Sequence, residues 1–388
     1  MTKAITMTMT MTNFPFEAQR ALFPILQKKA QLSSCSQSAL STPVTEALAR
    51  YMTSWSEQGM DWGGWAVVLD QAKAEFARLI HADAADIAVM SCVSDLASSI
   101  GNCLSFDAQR DGIVLGEIDF PSVGHVWLAQ QARGAVVQFA QPDAEGEIAL
   151  EDYARLINDR TRLVSVSQVS YSNGFKQDIG AIAKLARAQG ALFFVDAYQS
   201  AGVMQVDVQR DDIDMLVCGA QKYLLGCPGI AFMFVRPSVA EQLKPSNTGW
   251  FGRINPFAFD IRTLDYAPGA RRFDTGTPPY INGAAACAGM ALLNTLDMAQ
   301  VEAYIEQLSA VALSEAKRHK LPIASPLDPH RKGSNTAIRV GDSAAIERHM
   351  ASAGYIVSAR GHLIRIAPHF YNTEQDVAGA MAALARLV

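Results

Sequence analysis

"VDAYQSAGVMQVDVQRDDIDMLVCGAQKYLLGCPGIAF", residues Val195 to Phe232, sets an acid and a lysine just past two apolar runs. Asp196 closes "ALFFV", and Lys222 follows "MLVCGA" after one intervening glutamine. Each run has the length and apolar content of a buried strand. A carboxylate or ammonium held there is costly without a partner, so it either caps a helix or faces a ligand. For Asp196 the two roles stand level on local residues. Lys222 has small residues on both sides, which leave little room for a solvated ammonium. Desolvation lowers a lysine's pKa toward the nucleophilic range, although a lone lysine can also snorkel to water.

Outward from this stretch, short apolar runs alternate with helical patterns. "IAVM" leads into a helix beginning near Ser94, and "IVLGE" into one over "SVGHVWLAQQA". "LVSVS" precedes "IGAIAKLARAQG", with Gly190 at its C-cap, and "ALFFVD", "MLVCG" and "IAFMFV" follow. Strands spaced by helix-length segments predict an α/β fold with a mostly parallel sheet between helices. Helical periodicity covers Thr42 to Ile80. Residues 247–285 are rich in Gly, Pro and aromatics, a length that is usually functional. One long helix is expected over 288–319, and then a smaller α/β lobe: strands "NTAIRV", "YIVSAR" and "HLIRIAP", with a helix from Thr373. The expected division is an N-terminal tail and arm over 1–30, a large domain over 31–265, and a small domain over 266–388 against which the arm packs.

With 388 residues, 49% of them hydrophobic, the chain can bury a large core in two or three lobes. A net charge of −5 without any Lys/Arg run argues against nucleic acid or an acidic membrane as a partner. The six cysteines form no CxxC pair and no metal-ligand spacing, the pattern of a reducing compartment. "MTKAITMTMTMTNF" lacks the apolar core of a signal peptide and is expected to fray. No apolar run approaches the ~20 residues that span a bilayer. A soluble, cytoplasmic protein is expected.

Open α/β sheets bind ligands beyond the C-terminal ends of their strands. Ser94, after "IAVM", is a candidate N-cap that either only caps or helps hold a phosphate. Phe120, after "IVLGE", either packs in the core or stacks on a flat ring. Asp196, Lys222, Ser94 and Phe120 together have one economical ligand: a planar phosphorylated aldehyde with a ring nitrogen, pyridoxal 5′-phosphate. A dinucleotide-dependent dehydrogenase is disfavoured, since no G-x-G-x-x-G follows an early strand.

The same stretch, followed and preceded in order by "EIDFPS", "VSQVSYSNG", "GWFGRINPFAFD", "APGARRFDTGTPP" and "LIRIAPHFYNTEQDV", resembles the class V aminotransferase family of fold-type I pyridoxal-phosphate enzymes. The kynureninase and cysteine desulfurase branches are the most similar, from about Cys35 to the C-terminus. The resemblance implies that Lys222 forms the internal aldimine and shuttles protons. It implies that Asp196 holds the pyridine nitrogen protonated, with Gln199 near the Schiff base or ring oxygen. Phe120 would stack on the ring, Val93 and Ser94 would bind phosphate, and Tyr171, Ser170 and Gln221 would border the cofactor. Trp250 and Thr277 would also contact phosphate, Thr277 from a neighbouring subunit of a homodimer. Arg365 would clamp the substrate carboxylate.

Departures from both lyase branches narrow the reaction. Gln221 stands where kynureninases usually carry tyrosine, "GMDWGGW" replaces a histidine-bearing element, Thr277 stands where some carry asparagine, and no cysteine follows Cys287 to act in a desulfurase loop. The expected activity is therefore an aminotransferase acting on a small L-amino acid through an external aldimine. The alternatives are a kynureninase-like or desulfurase-like Cβ lyase and, more remotely, a non-catalytic ligand sensor. His125, His362 and His369 read as structural. Arg271 and Arg272 read as interface or acidic-substrate residues. Arg360 and Arg365 fall on opposite strand faces unless a turn intervenes at Gly361.

Overall fold

The computed structural model describes residues 14–388; the Thr/Met-alternating start, expected to fray, lies outside them. Seven strands form the main sheet: β1 (Ile87–Met90), β2 (Gly112–Gly116), β3 (Val136–Ala140), β4 (Thr161–Ser167), β5 (Leu192–Asp196), β6 (Met215–Gly219) and β7 (Ala231–Val235). Their spatial order is β1-β7-β6-β5-β4-β2-β3. Strand β7 runs antiparallel to both neighbours, and the other pairings are parallel. The C-terminal ends of β1, β2, β4, β5 and β6 therefore share one edge. Because β7 reverses direction, residues 220–230 join it to β6 with no helix, and Lys222 sits in that connection.

Both faces of the sheet are covered, which is why its strands are nearly all apolar rather than alternating. Phe194, Met215 and Val217 point to one side, against Leu96 and Ile100 of helix Val93–Cys103 and Trp127 of helix Pro121–Ala129. Phe193, Val195 and Leu216 point to the other, with Ile182 of helix Ile179–Ala188 and Phe76 of helix Trp62–Leu79. The edge strand β3 has no clear signature in the sequence because Val136 to Phe139 remain partly exposed.

A buried ion pair fixes the opposite edge. Lys73 Nζ lies 2.6 Å from Asp274, whose second oxygen accepts the Val89 N–H at 2.9 Å. Arg272 bonds the Ala240 and Leu243 carbonyls and Glu241, while Arg271 donates to the Arg253 and Ile254 carbonyls. Both arginines thus tie the chain to itself. The single helix expected over 288–319 is two, Tyr280–Leu293 and Met298–Arg318. Asn294 turns outward to the Glu75 carbonyl, and Asp297 accepts from Ala299 N to start the second helix.

In the C-terminal lobe, Leu363–Ile366 pairs antiparallel with both Ser358–Arg360 and Thr336–Arg339. Ala30–Gln31 runs parallel to Tyr355–Ile356, and Arg20 bonds Asp376 at 2.7 Å, so the N-terminal arm lies on this lobe. A turn does intervene at Gly361: Arg360 pairs with Leu363 and Ser358 with Arg365, which places both arginines on one face of the hairpin.

The loop after β5 is pressed against the lysine loop. Gly202 has φ +101°, and a Cβ there would meet the Tyr223 carbonyl oxygen at 2.2 Å. Gly202→Ala is expected to cost about 3 kcal/mol, from the left-handed backbone and the overlap together. The fall in thermal unfolding temperature checks this; an unchanged value would show that the two loops move apart freely.

Candidate active site

Five strand ends bring the site together. Asp196 is the last residue of β5, Lys222 lies just past β6, Phe120 follows β2, Tyr171 follows β4, and Ser91–Val93 follow β1. Lys222 is 9% exposed. Its Nζ lies over the rings of Tyr198 and Phe120, 3.9 and 5.5 Å from their centroids. Burial lowers the Lys222 pKa, the Asp196 charge partly restores it, and Arg365 lowers it further. Asp196 is 6% exposed, and one of its oxygens accepts the Tyr198 N–H at 2.8 Å. Burial raises its pKa, opposed by that hydrogen bond and by Lys222. Asp119, between β2 and Phe120, accepts the Ser167 N–H at 2.8 Å, and its other oxygen is buried without a partner. Burial is the main cause that pushes it up to about 7, and Asp196 adds to this.

Arg365 supplies the second buried charge. It is 1% exposed. Nη1 donates to the Tyr171 carbonyl at 2.8 Å, and Nη2 donates to Ser36 and Ser358 hydroxyls at 2.9 and 2.8 Å. Its Nε is buried without a partner, and no carboxylate pairs with it among the described residues. A guanidinium positioned by neutral oxygens keeps its charge available for a carboxylate ligand.

The helix over Val93–Cys103 begins one residue earlier than the sequence suggests. Cys92 is its N-cap, and no side chain caps it. Ser94 is therefore the second helical residue and not the cap, because the extended backbone ends at Cys92. Val93 is buried and Ser94 half-buried, both in the first turn, where unbonded N–H groups favour an anion. Phe120 meets Tyr171 edge-on at 5.0 Å. Gln199 is turned to the Cys35 carbonyl (3.0 Å) and Gln221 to the Ser36 carbonyl (3.4 Å), so both hold the N-terminal segment over the site.

Thr277 is exposed and lines a cavity of about 410 Å³ with Ser91, Asp95 and Asn247. Trp250 packs in an aromatic group with Trp62, Phe251, Phe257 and Phe259. Neither touches Lys222. Residues not singled out from the sequence are Ser36, Ser358, Asp119 and Tyr198. Tyr198, lying between Asp196 and Gln199, and Asp119, just before Phe120, had a local signal; Ser36 and Ser358 arrive from distant segments.

This arrangement agrees with the comparisons to known proteins. The family model for aminotransferase class-V matches residues 34–379. The chain belongs to the class V aminotransferase family. An uncharacterized aminotransferase of Bacillus subtilis, YcbU, is 38% identical over 95% of this chain and 97% of its own length. A kynureninase of Deinococcus radiodurans is 25% identical over 90% of this chain and 85% of its own. Among solved structures, an apo cysteine desulfurase from Thermococcus onnurineus superposes with a TM-score of 0.86 at 20% identity, covering 97% of this chain and 98% of that one. Among the described residues of this class V family member, no helix is long and apolar enough to cross a membrane.

His369 supports the lysine loop from behind. Its Nε2 donates to the Tyr223 carbonyl at 3.0 Å and its Nδ1 accepts the Phe370 N–H at 2.8 Å, which is the neutral tautomer. Burial lowers its pKa to about 3. His362 and His125 are exposed at the surface. Below about pH 6.5 the unfolded chain takes up a proton at His369 that the folded chain refuses, so stability falls as pH falls. By pH 5 the cost is roughly 2 kcal/mol, at ~1.4 kcal/mol per pH unit. Thermal unfolding at pH 7 and pH 5 should therefore show a steeper acid loss for wild type than for His369→Gln. Parallel losses would mean that His369 is protonated in the native state.

Proposed function

We propose that this protein is a pyridoxal-phosphate-dependent enzyme that transfers the amino group of a small L-amino acid. The observation that carries the reading is Lys222: a buried amine between two aromatic faces, with a lowered pKa and a buried carboxylate nearby. The remaining residues fit the cofactor. Asp196 is a buried carboxylate without an ion pair at hand, suited to a ring N–H, and the helix start at Cys92–Ser94 has free N–H groups for a phosphate. When bound, pyridoxal phosphate supplies an electron sink for the pair released at the substrate α-carbon.

The chain's own groups do the rest. Lys222 would hold the cofactor through its aldehyde, and its amine, whose pKa desolvation lowers, would take the substrate α-proton and pass it on. Asp196 places a fixed negative charge where a ring nitrogen must stay protonated. Arg365 receives the α-carboxylate, with its unpartnered Nε among the donors. Phe120 closes one side of the ring, and Gln199, Gln221 and the N-terminal segment limit water. Cys35 and Cys218, which act electrostatically on Lys222, are each 1% exposed, a poor situation for carrying sulfur out to solvent. That favours amino transfer over desulfuration.

A homodimer belongs to the same reading. Residues 254–264 present Phe257, Phe259 and Ile261 to solvent, Ile261 at 97% exposure. A second copy covering them would carry Thr277 toward a partner's site.

The purified protein should show the yellow band of lysine-bound cofactor. An L-amino acid should bleach it, and a keto acid should restore it. Unaided return with a cleaved product would identify a lyase instead, and no band after addition of pyridoxal phosphate would end the reading. Lys222→Ala should lose the band and at least about a hundredfold of turnover. Asp196→Asn should keep colour with much slower turnover. Arg365→Ala should raise KM for carboxylate substrates about tenfold or more, one charge-assisted hydrogen bond or better; an unchanged KM would remove Arg365 from substrate binding.

A further inference from the structure

Tyr198 has no assigned role, yet its side chain occupies the centre of the site. Its ring lies beneath the Lys222 amine, 3.9 Å from Nζ to the centroid. Its far end lies directly on Gly219: a Cβ built there would fall 2.1 Å from both the Cζ and the hydroxyl oxygen of Tyr198. Only glycine at the end of β6 leaves room for the ring in this pose. Gly219 and Met90, the last residues of β6 and β1, both pair with Ala231 of β7, so the phenol ends at the level of the sheet edge from which the uncapped helix start leaves. Burial, helped by Cys218, Asp196 and Cys92, raises its pKa, so the hydroxyl keeps its proton. That proton has no acceptor among the described residues.

These observations place a phenol donor, with no protein acceptor among the described residues, between an amine suited to an aldehyde and a helix start suited to an anion. In a phosphorylated pyridine aldehyde those two groups sit on adjacent ring positions, one phenol length apart. We infer that Tyr198 binds the cofactor phosphate through its hydroxyl while its ring forms the floor opposite Phe120, with Gly219 kept free of a side chain to admit it. The inference rests on the pyridoxal-phosphate reading above. A ring-only contact would hold phosphorylated and unphosphorylated cofactor alike; a hydroxyl–phosphate contact distinguishes them.

The test is equilibrium binding of pyridoxal phosphate and of pyridoxal to cofactor-depleted full-length protein, followed by absorbance and by quenching of tryptophan fluorescence, without substrate. Tyr198→Phe should weaken pyridoxal phosphate about tenfold or more, the worth of one hydrogen bond to a charged group, and leave pyridoxal within about twofold. Equal affinity of variant and wild type for the phosphate form, or an equal loss for both forms, overturns the assignment. Should Tyr198→Phe fold poorly, Tyr198→Ala alone and combined with Gly219→Ser give a second route. The serine hydroxyl lands where the phenol ended, so the double variant should bind the phosphate form more tightly than Tyr198→Ala; equal binding overturns the inference. If wild type binds neither form, the fault lies in the cofactor reading itself.

Discussion

An amine buried without a carboxylate in contact is the constraint on which the rest of this structure turns. Removing Lys222 from water disfavours its ammonium, and the field of Asp196 and the faces of Tyr198 and Phe120 offset that in part. Asp196 and Tyr198 come from the end of β5 and Phe120 from the end of β2. A parallel sheet supplies this without further machinery, because it collects strand ends at one edge and covers both faces with helices. The reversal of β7 matters equally. It lets a compact loop carry the lysine straight back under the edge, where Gly202 and His369 hold that loop through the Tyr223 carbonyl.

Arg365 meets the opposite condition. Its charge is buried but surrounded by hydroxyls and a carbonyl, from three segments far apart in the chain. Neutral acceptors fix the guanidinium without neutralising it, so the attraction for a carboxylate stays available. Two basic groups without an ion pair, Lys222 and Arg365, and two carboxylates, Asp196 and Asp119, then converge on one sheet edge. Such a set is expensive in an empty core and sensible around a charged ligand.

The fold was largely legible in the sequence. Apolar runs at strand length, spaced by helical periods, fix six of the seven main strands, and the ordered motifs point to the family that the comparisons show. What escaped had physical causes. β3 is a half-exposed edge with a weak pattern. The break at Asn294–Asp297 depends on a side chain reaching Glu75, which no local rule anticipates. Ser94 looked like a cap because caps are recognised by residue type, whereas the backbone turns at Cys92.

By itself the sequence singled out Lys222 and Asp196, because ionisable groups at the ends of apolar strands need a reason to be there. It determined the sheet as well, since periodicity is local. Tertiary structure alone decided how the groups are poised. Ser36 and Ser358 reach Arg365, Asp119 backs Asp196, and Tyr198 lies on Gly219 because segments distant in the chain converge at one sheet edge. Burial and electrostatic fields are properties of that convergence, so no single segment contains them.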